Sequence, residues 1–273
     1  MKSKVSRKLA LHSVPRSGST WLGNIIDSSP EVVYKYQPLF SYRFKNRLDE
    51  NTIQEDVLSF FDELIIEQDE FLDQTIAKNK GIIPQFSKNE SRDILFYKEV
   101  RYHHVIVNIL DKDPDIKFVL LIRNPLSTLN SWIKHPNEFK MEEGWKVEEE
   151  WQFAAKKNQN KPEEFFGYEK WKEAALLFIK INEMYKERIC LVEYKALLQN
   201  TLNEVERIFS FCGLELTNQT LSFIQDSTQK TLADHYSVFR EKQTDDKWKT
   251  ELPEYIAAYI YEDLKGTILA RYL

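Results

Sequence analysis

The stretch "LALHSVPRSGSTWLGNIIDSS", residues 9–29, decides the fold. Its first six residues are an apolar run of strand length. From Thr20 onward Leu22, Ile25 and Ile26 recur on one helical face until Pro30 stops the helix. Between them lies a turn rich in small hydroxyl residues. Gly18 lets a ligand approach the backbone closely, while Ser17, Ser19 and Thr20 add hydroxyl donors to the unsatisfied N–H groups of a helix start. Strand, glycine turn and helix in that order form an anion site. The lysine of the G-x-x-x-x-G-K-[ST] pattern is missing, however, and Arg16 stands before the glycine.

Working outward, short apolar runs alternate with amphipathic segments. Strands are expected at 31–37, 93–100, 116–123 and 188–194 in addition to 9–14, and helices over 51–79, 102–110, from Pro125, over 166–187 and over 195–214. "IKFVLLIR" (116–123) is apolar almost throughout, as a strand covered on both faces should be. Asn124 caps the following helix and Pro125 opens it. Residues 136–165 are polar, contain no clear strand, and read as an insertion over the site within one domain spanning 1–273. The fold class is therefore α/β: a parallel sheet of about five strands flanked by helices on both faces, P-loop-like at its first turn. In such sheets ligands bind beyond the carboxyl ends of the strands.

Composition bounds the function. The chain has 273 residues, 42% hydrophobic and 30% charged, with net charge −5. That charge is not the basic footprint of a nucleic-acid binder, so any anion site is local. Cys190 and Cys212 read as buried free thiols rather than a disulfide. The basic N-terminus has too short an apolar stretch for a signal peptide, and no segment approaches the length of a membrane span. These features point to a cytoplasmic protein. Oligomeric state is not legible.

At the strand ends the chemistry is cationic. "FVLLIR" closes on Arg123, where a magnesium-dependent nucleotide triphosphatase would want an Asp. No metal is expected; side chains would neutralise the anion instead. Ser131, on the helix that starts at Pro125, would return past the sheet end, and a guanidinium with a hydroxyl suits a second phosphate.

These residues carry a family resemblance. "PRSGSTWL" resembles the 5′-phosphosulfate loop of sulfotransferases that use 3′-phosphoadenosine 5′-phosphosulfate (PAPS). "LIRNPLSTLNSW" resembles their 3′-phosphate motif, an Arg and a Ser eight positions apart after a buried strand. "LVEYKALLQNTLNEVERIFSFCGLEL" and "FREKQTDDKWKTEL" are similar to later segments of the family, the second to a basic loop of its carbohydrate-type and bacterial members. The glycine-rich C-terminal motif of the phenol and steroid branch is absent. The resemblance covers nearly all of the chain outside roughly 40–90 and 136–165.

The resemblance implies that Arg16, Ser17, Gly18, Ser19 and Thr20 hold the 5′-phosphosulfate, with Arg16 where many soluble members carry a catalytic lysine. It implies that Arg123 and Ser131, helped by Arg240, hold the 3′-phosphate, that Trp21 and Tyr194 contact adenine, and that Lys98 lies near the transferred group. The reaction would move a sulfuryl group to a hydroxyl of a carbohydrate or of a small-molecule or lipid alcohol, leaving adenosine 3′,5′-bisphosphate (PAP). Arg16 and Lys98 suit the charge that grows on the leaving phosphate.

The proton acceptor is less legible. In "YQPLF" (36–40) Gln37 stands where carbohydrate-type members tend to have a Glu; it can orient a hydroxyl but not take its proton. Glu99 is the nearest substitute, although strand alternation points it away from Lys98. His103 and His104 are further candidates, with His104 placed at the substrate side. A domain that keeps the nucleotide site but is inactive is the alternative, and a P-loop-like kinase a more remote one.

Overall fold

The apolar runs become β1 (Arg7–His12), β2 (Val32–Tyr36), β3 (Ile94–Glu99), β4 (Lys117–Ile122) and β5 (Ile189–Glu193) in the computed structural model, which describes residues 5–229 and 244–273. They form one sheet in the order β2-β3-β1-β4-β5, every neighbouring pair parallel. The helices are α1 (Ser19–Asp27), α2 (Gln54–Ile66), α3 (Thr75–Asn79), α4 (Ile106–Lys112), α5 (Pro125–Ile133), α6 (Val147–Glu150), α7 (Ala155–Asn158), α8 (Tyr168–Met184), α9 (Tyr194–Gln199), α10 (Thr201–Cys212), α11 (Asn218–Gln229), α12 (Trp248–Glu251) and α13 (Glu254–Leu264).

Strand alternation splits the core into two layers. Leu9, Leu11, Ile94, Phe96, Val119 and Leu121 pack with α1 and α10 on one face. Ala10, Leu95, Tyr97, Phe118 and Leu120 pack with α2, α4 and α8 on the other. Both faces are therefore covered, which is why the strands are nearly continuous in apolar residues. Cys190 and Cys212 are buried free thiols on the first face.

Two helices are shorter than expected. The helical pattern over 51–79 breaks at 67–74, where Asp69 accepts from the N–H groups of Phe71 and Leu72 at 2.9 Å each. This side-chain turn competes with helix. It also frees the Leu72 carbonyl to accept from Tyr36 N at 2.8 Å, closing the edge of β2. The pattern over 195–214 divides at Asn200, which lies between α9 and α10. The polar stretch 136–165 is built on short helices, yet Phe139, Trp151, Ala154 and Phe165 are buried in the α2–α8 layer.

The topology positions the site. The connection leaving β1 runs toward β2 while that leaving β4 runs toward β5, so a crevice opens beyond the carboxyl ends of β1 and β4. Among the described residues no helix is long and apolar enough to cross a membrane.

Candidate functional site

The loop after β1 is shaped by two residues in the left-handed region. Arg16 has φ 69° and Gly18 φ 88°. Arg16 bears a strain that a side chain rarely accepts, a feature concentrated at functional sites. Gly18 has a second reason to lack a side chain: a Cβ there would stand 2.3 Å from Tyr194 Cε2. The loop delivers the chain into α1, whose first N–H groups open at a cavity of about 530 Å³. Arg16, Gly18, Ser19, Thr20 and Trp21 line that cavity. Ser17 does not; its side chain is fully buried.

Arg16 joins two strand ends. Its Nε donates to Ser131 Oγ at 3.2 Å, and its carbonyl accepts from Arg123 Nη1 at 2.7 Å. Arg123 also donates through Nε to the Asp245 carboxylate at 3.0 and 3.2 Å and through Nη2 to the same group. The Asp245 carbonyl accepts from Ser127 Oγ at 2.8 Å. The Tyr194 ring packs 4.7 Å from the Arg123 guanidinium carbon and 6.4 Å from Trp21. Trp21 Nε1 donates to Ser227 Oγ at 2.9 Å. Arg240 lies outside the described residues.

Parallel register brings Lys98 into line with Leu11 and Tyr36. Its ammonium donates to Thr20 Oγ1 at 3.1 Å and sits 4.4 Å from the centre of the Tyr36 ring. Burial pulls Lys98 down to about 7, with Arg16 and Arg101 adding to the effect and Glu99 opposing it. Gln37 follows with φ 42°; its Oε1 accepts from Arg101 Nη1 at 3.1 Å, and Arg101 Nε donates to Glu164 at 2.9 and 3.0 Å. Gln37 and Lys98 both line the cavity.

The remaining proton-acceptor candidates are not brought there. Glu99 points to the opposite face from Lys98, as alternation requires, and its Oε1 accepts from Leu39 N at 2.7 Å. Burial lifts its carboxyl to about 8, against the pull of that N–H, Arg101 and Lys98. His103 is buried with its Nδ1 at 3.0 Å from His12 Nδ1; burial lowers both, His12 to about 3. His104 is half-buried beside Tyr102 and is also outside the cavity lining. Among the described residues no three His, Cys, Asp or Glu side chains group to hold a metal ion.

The sequence reading overlooked several cavity residues. Ser127 and Asn130 share the inner face of α5 with Ser131, a spacing of three and four that was legible. Arg101 was legible as a strand-end residue, directly after the strand expected at 93–100, whereas His135, one turn beyond Ser131, and Asp245, inside "FREKQTDDKWKTEL", were not singled out.

The first loop and the helix start are thus joined through Arg16 to a second cationic strand end on one cavity. The family model of the sulfotransferase domain matches residues 6–267. The chain belongs to the sulfotransferase domain family. That match gives the family and not a branch within it. Three solved structures share the fold. A mouse sulfotransferase complexed with PAP superposes with TM-score 0.57 at 14% identity, covering 97% of this chain and 86% of that one. Retinol dehydratase in complex with androsterone and inactive cofactor PAP gives TM-score 0.52 at 14% identity, covering 96% and 82%. A sulfotransferase domain from the curacin biosynthetic pathway gives 0.50 at 15%, covering 94% and 96%. The curated proteins offer no sequence match to this sulfotransferase domain.

Proposed function

We propose that this sulfotransferase domain moves a sulfuryl group from PAPS to a hydroxyl of a carbohydrate or of a small-molecule or lipid alcohol, in the manner of the carbohydrate-type and bacterial branch. The observation that carries the reading is the Arg16 junction: its guanidinium meets Ser131 and its carbonyl meets Arg123, so the first loop and the end of β4 form one continuous cationic cradle. A donor with phosphates at both the 5′ and 3′ positions has that division of charge. The fold neighbours complexed with PAP support the same donor.

In this reading the α1 N–H groups, Ser19, Thr20 and Arg16 hold the 5′-phosphosulfate, and Arg123 with Ser131 holds the 3′-phosphate. Tyr194 and Trp21 flank the adenine. Arg16 and Lys98 stabilise the charge that develops on the leaving phosphate, the effect that preorganised cations supply most efficiently. The protein otherwise acts by holding acceptor oxygen and sulfur in line.

The test is release of PAP from PAPS in the presence of hydroxyl acceptors. Arg16→Ala should lower kcat/KM by roughly 10²–10³, the cost of losing one preorganised donor. An unchanged kcat/KM removes Arg16 from the mechanism. Tight PAP binding with no turnover of any acceptor would instead make the chain an inactive binding domain, which Gln37 in "YQPLF" would then explain.

A further inference from the structure

Transfer to a hydroxyl needs a destination for its proton. Around the cavity the arginines never give up their charge at neutral pH, and Gln37 and Val100 have no basic atom. Lys98 is the cation required beside the leaving phosphate, and it cannot hold that charge and accept the proton together. The carboxylates are committed elsewhere. Asp245 is bound to Arg123, Glu251 accepts from Asn130 Nδ2 at 2.7 Å, and Glu138 pairs with Lys157 at 2.9 Å. Among the described histidines, His135 alone lines the cavity.

Its placement fits the task. His135 follows α5 directly, one turn beyond Ser131, which touches Arg16. Its carbonyl accepts from Glu138 N and Phe139 N at 2.9 Å each, so the turn that presents the ring is held firmly. The residue is 2% exposed. On its far side the wall continues through Glu138 and Lys157, whose ammonium lies 4.6 Å from the Phe166 ring, to Arg101, 5.8 Å from the same ring. His135 thus lines one cavity with Arg16 and Lys98, which the proposed function puts at the transferred group, and with Gln37, Arg101 and Phe166. Imidazole is also the side chain whose ordinary proton affinity is closest to neutral pH.

We propose that His135 is the residue that takes the acceptor's proton, an inference that rests on the sulfotransferase reading above. The acceptor oxygen bonds to sulfur while the bond between sulfur and the 5′-phosphate oxygen breaks. The electron pair of that bond leaves with PAP beside Arg16 and Lys98. The hydroxyl proton moves to a ring nitrogen of His135 and passes to solvent before the next turnover.

The test compares wild type with His135→Gln and His135→Phe on two phenols, 2-naphthol, which is protonated at neutral pH, and pentafluorophenol, which is already ionised. Loss of a general base costs about 10²–10⁴-fold. Both variants should lose kcat by that factor on 2-naphthol, with KM for PAPS and the PAP-induced rise in Tm unchanged. On pentafluorophenol they should stay within about threefold of wild type, because no proton has to move. If neither phenol is an acceptor, PAPS hydrolysis with water as acceptor is compared instead, and the same loss is expected. Wild-type rates in the variants on 2-naphthol or water overturn the proposal, and so does an equal loss on both phenols, which would make His135 a positioning residue. A wild-type chain that releases no PAP, even to water, fails at the sulfotransferase reading itself and takes the proposal with it.

Discussion

Lys98 shows how one residue's surroundings set its chemistry. Its ammonium is buried against the Tyr36 ring and the Thr20 hydroxyl, and burial brings its pKa to about 7. An anion placed in the first loop favours the charged form and raises that value. Binding of PAP therefore takes up a proton above pH 7, and affinity should fall as pH rises from about 7.5 to 9. Calorimetry in buffers of different ionisation enthalpy reads the proton directly. Lys98→Met should flatten the profile, and a wild-type affinity that is constant over that window would contradict the account. The contrast between Lys98 and Glu99 was legible from strand alternation alone. The contact through which Arg101 holds Gln37 was not, because it depends on the turn after β3 folding back.

The element that matters most is the loop from β1 into α1. Strand, glycine and helix were readable because each obeys a local rule: apolar run, small turn residue, amphipathic period. What the sequence did not disclose is that Gly18 lies beneath the ring of Tyr194, 176 positions away by number. Gly18→Ala should weaken PAP binding by at least about tenfold, since alanine pays roughly 1–2 kcal/mol to hold a left-handed φ and also collides with that ring. The collision is separable. In a Tyr194→Ala background the loss of Tm caused by Gly18→Ala should be smaller, because contacting residues couple. Strict additivity across the four proteins would show that the ring does not constrain the loop. The break at 67–74 was unreadable for a similar reason. The Asp69 turn is local, but its payoff is the Leu72–Tyr36 bond to the edge of the sheet.

At the scale of the whole molecule, the site is closed by the chain's last quarter. Asp245 returns across the sheet end and places a carboxylate on Arg123, where the sulfotransferase reading puts the 3′-phosphate of the donor. The two anions compete for one guanidinium. Asp245→Asn should tighten PAP binding roughly tenfold, equivalent to ~1.4 kcal/mol, while leaving AMP, which lacks the 3′-phosphate, unaffected. Equal or weaker PAP binding would show that Asp245 instead helps to hold Arg123 in its binding pose. The parallel five-stranded sheet and both cationic strand ends followed from alternation and motif spacing; the strand order β2-β3-β1-β4-β5 did not. Nor did Asp245, because its contact with Arg123 depends on a distant segment folding back over the sheet end, and His135, one turn beyond Ser131, was passed over. The central claim is that Arg123 and the first loop together hold a nucleotide phosphorylated at both ends. Thermal unfolding tests it most directly, with PAP or with ATP and magnesium, on wild type and Arg123→Ala. A ligand at 100 times its Kd adds about 2.7 kcal/mol, which at this chain length raises Tm by roughly 2–4 degrees per kcal/mol. The account predicts a rise with PAP alone that Arg123→Ala abolishes; a rise only with ATP and magnesium would contradict it.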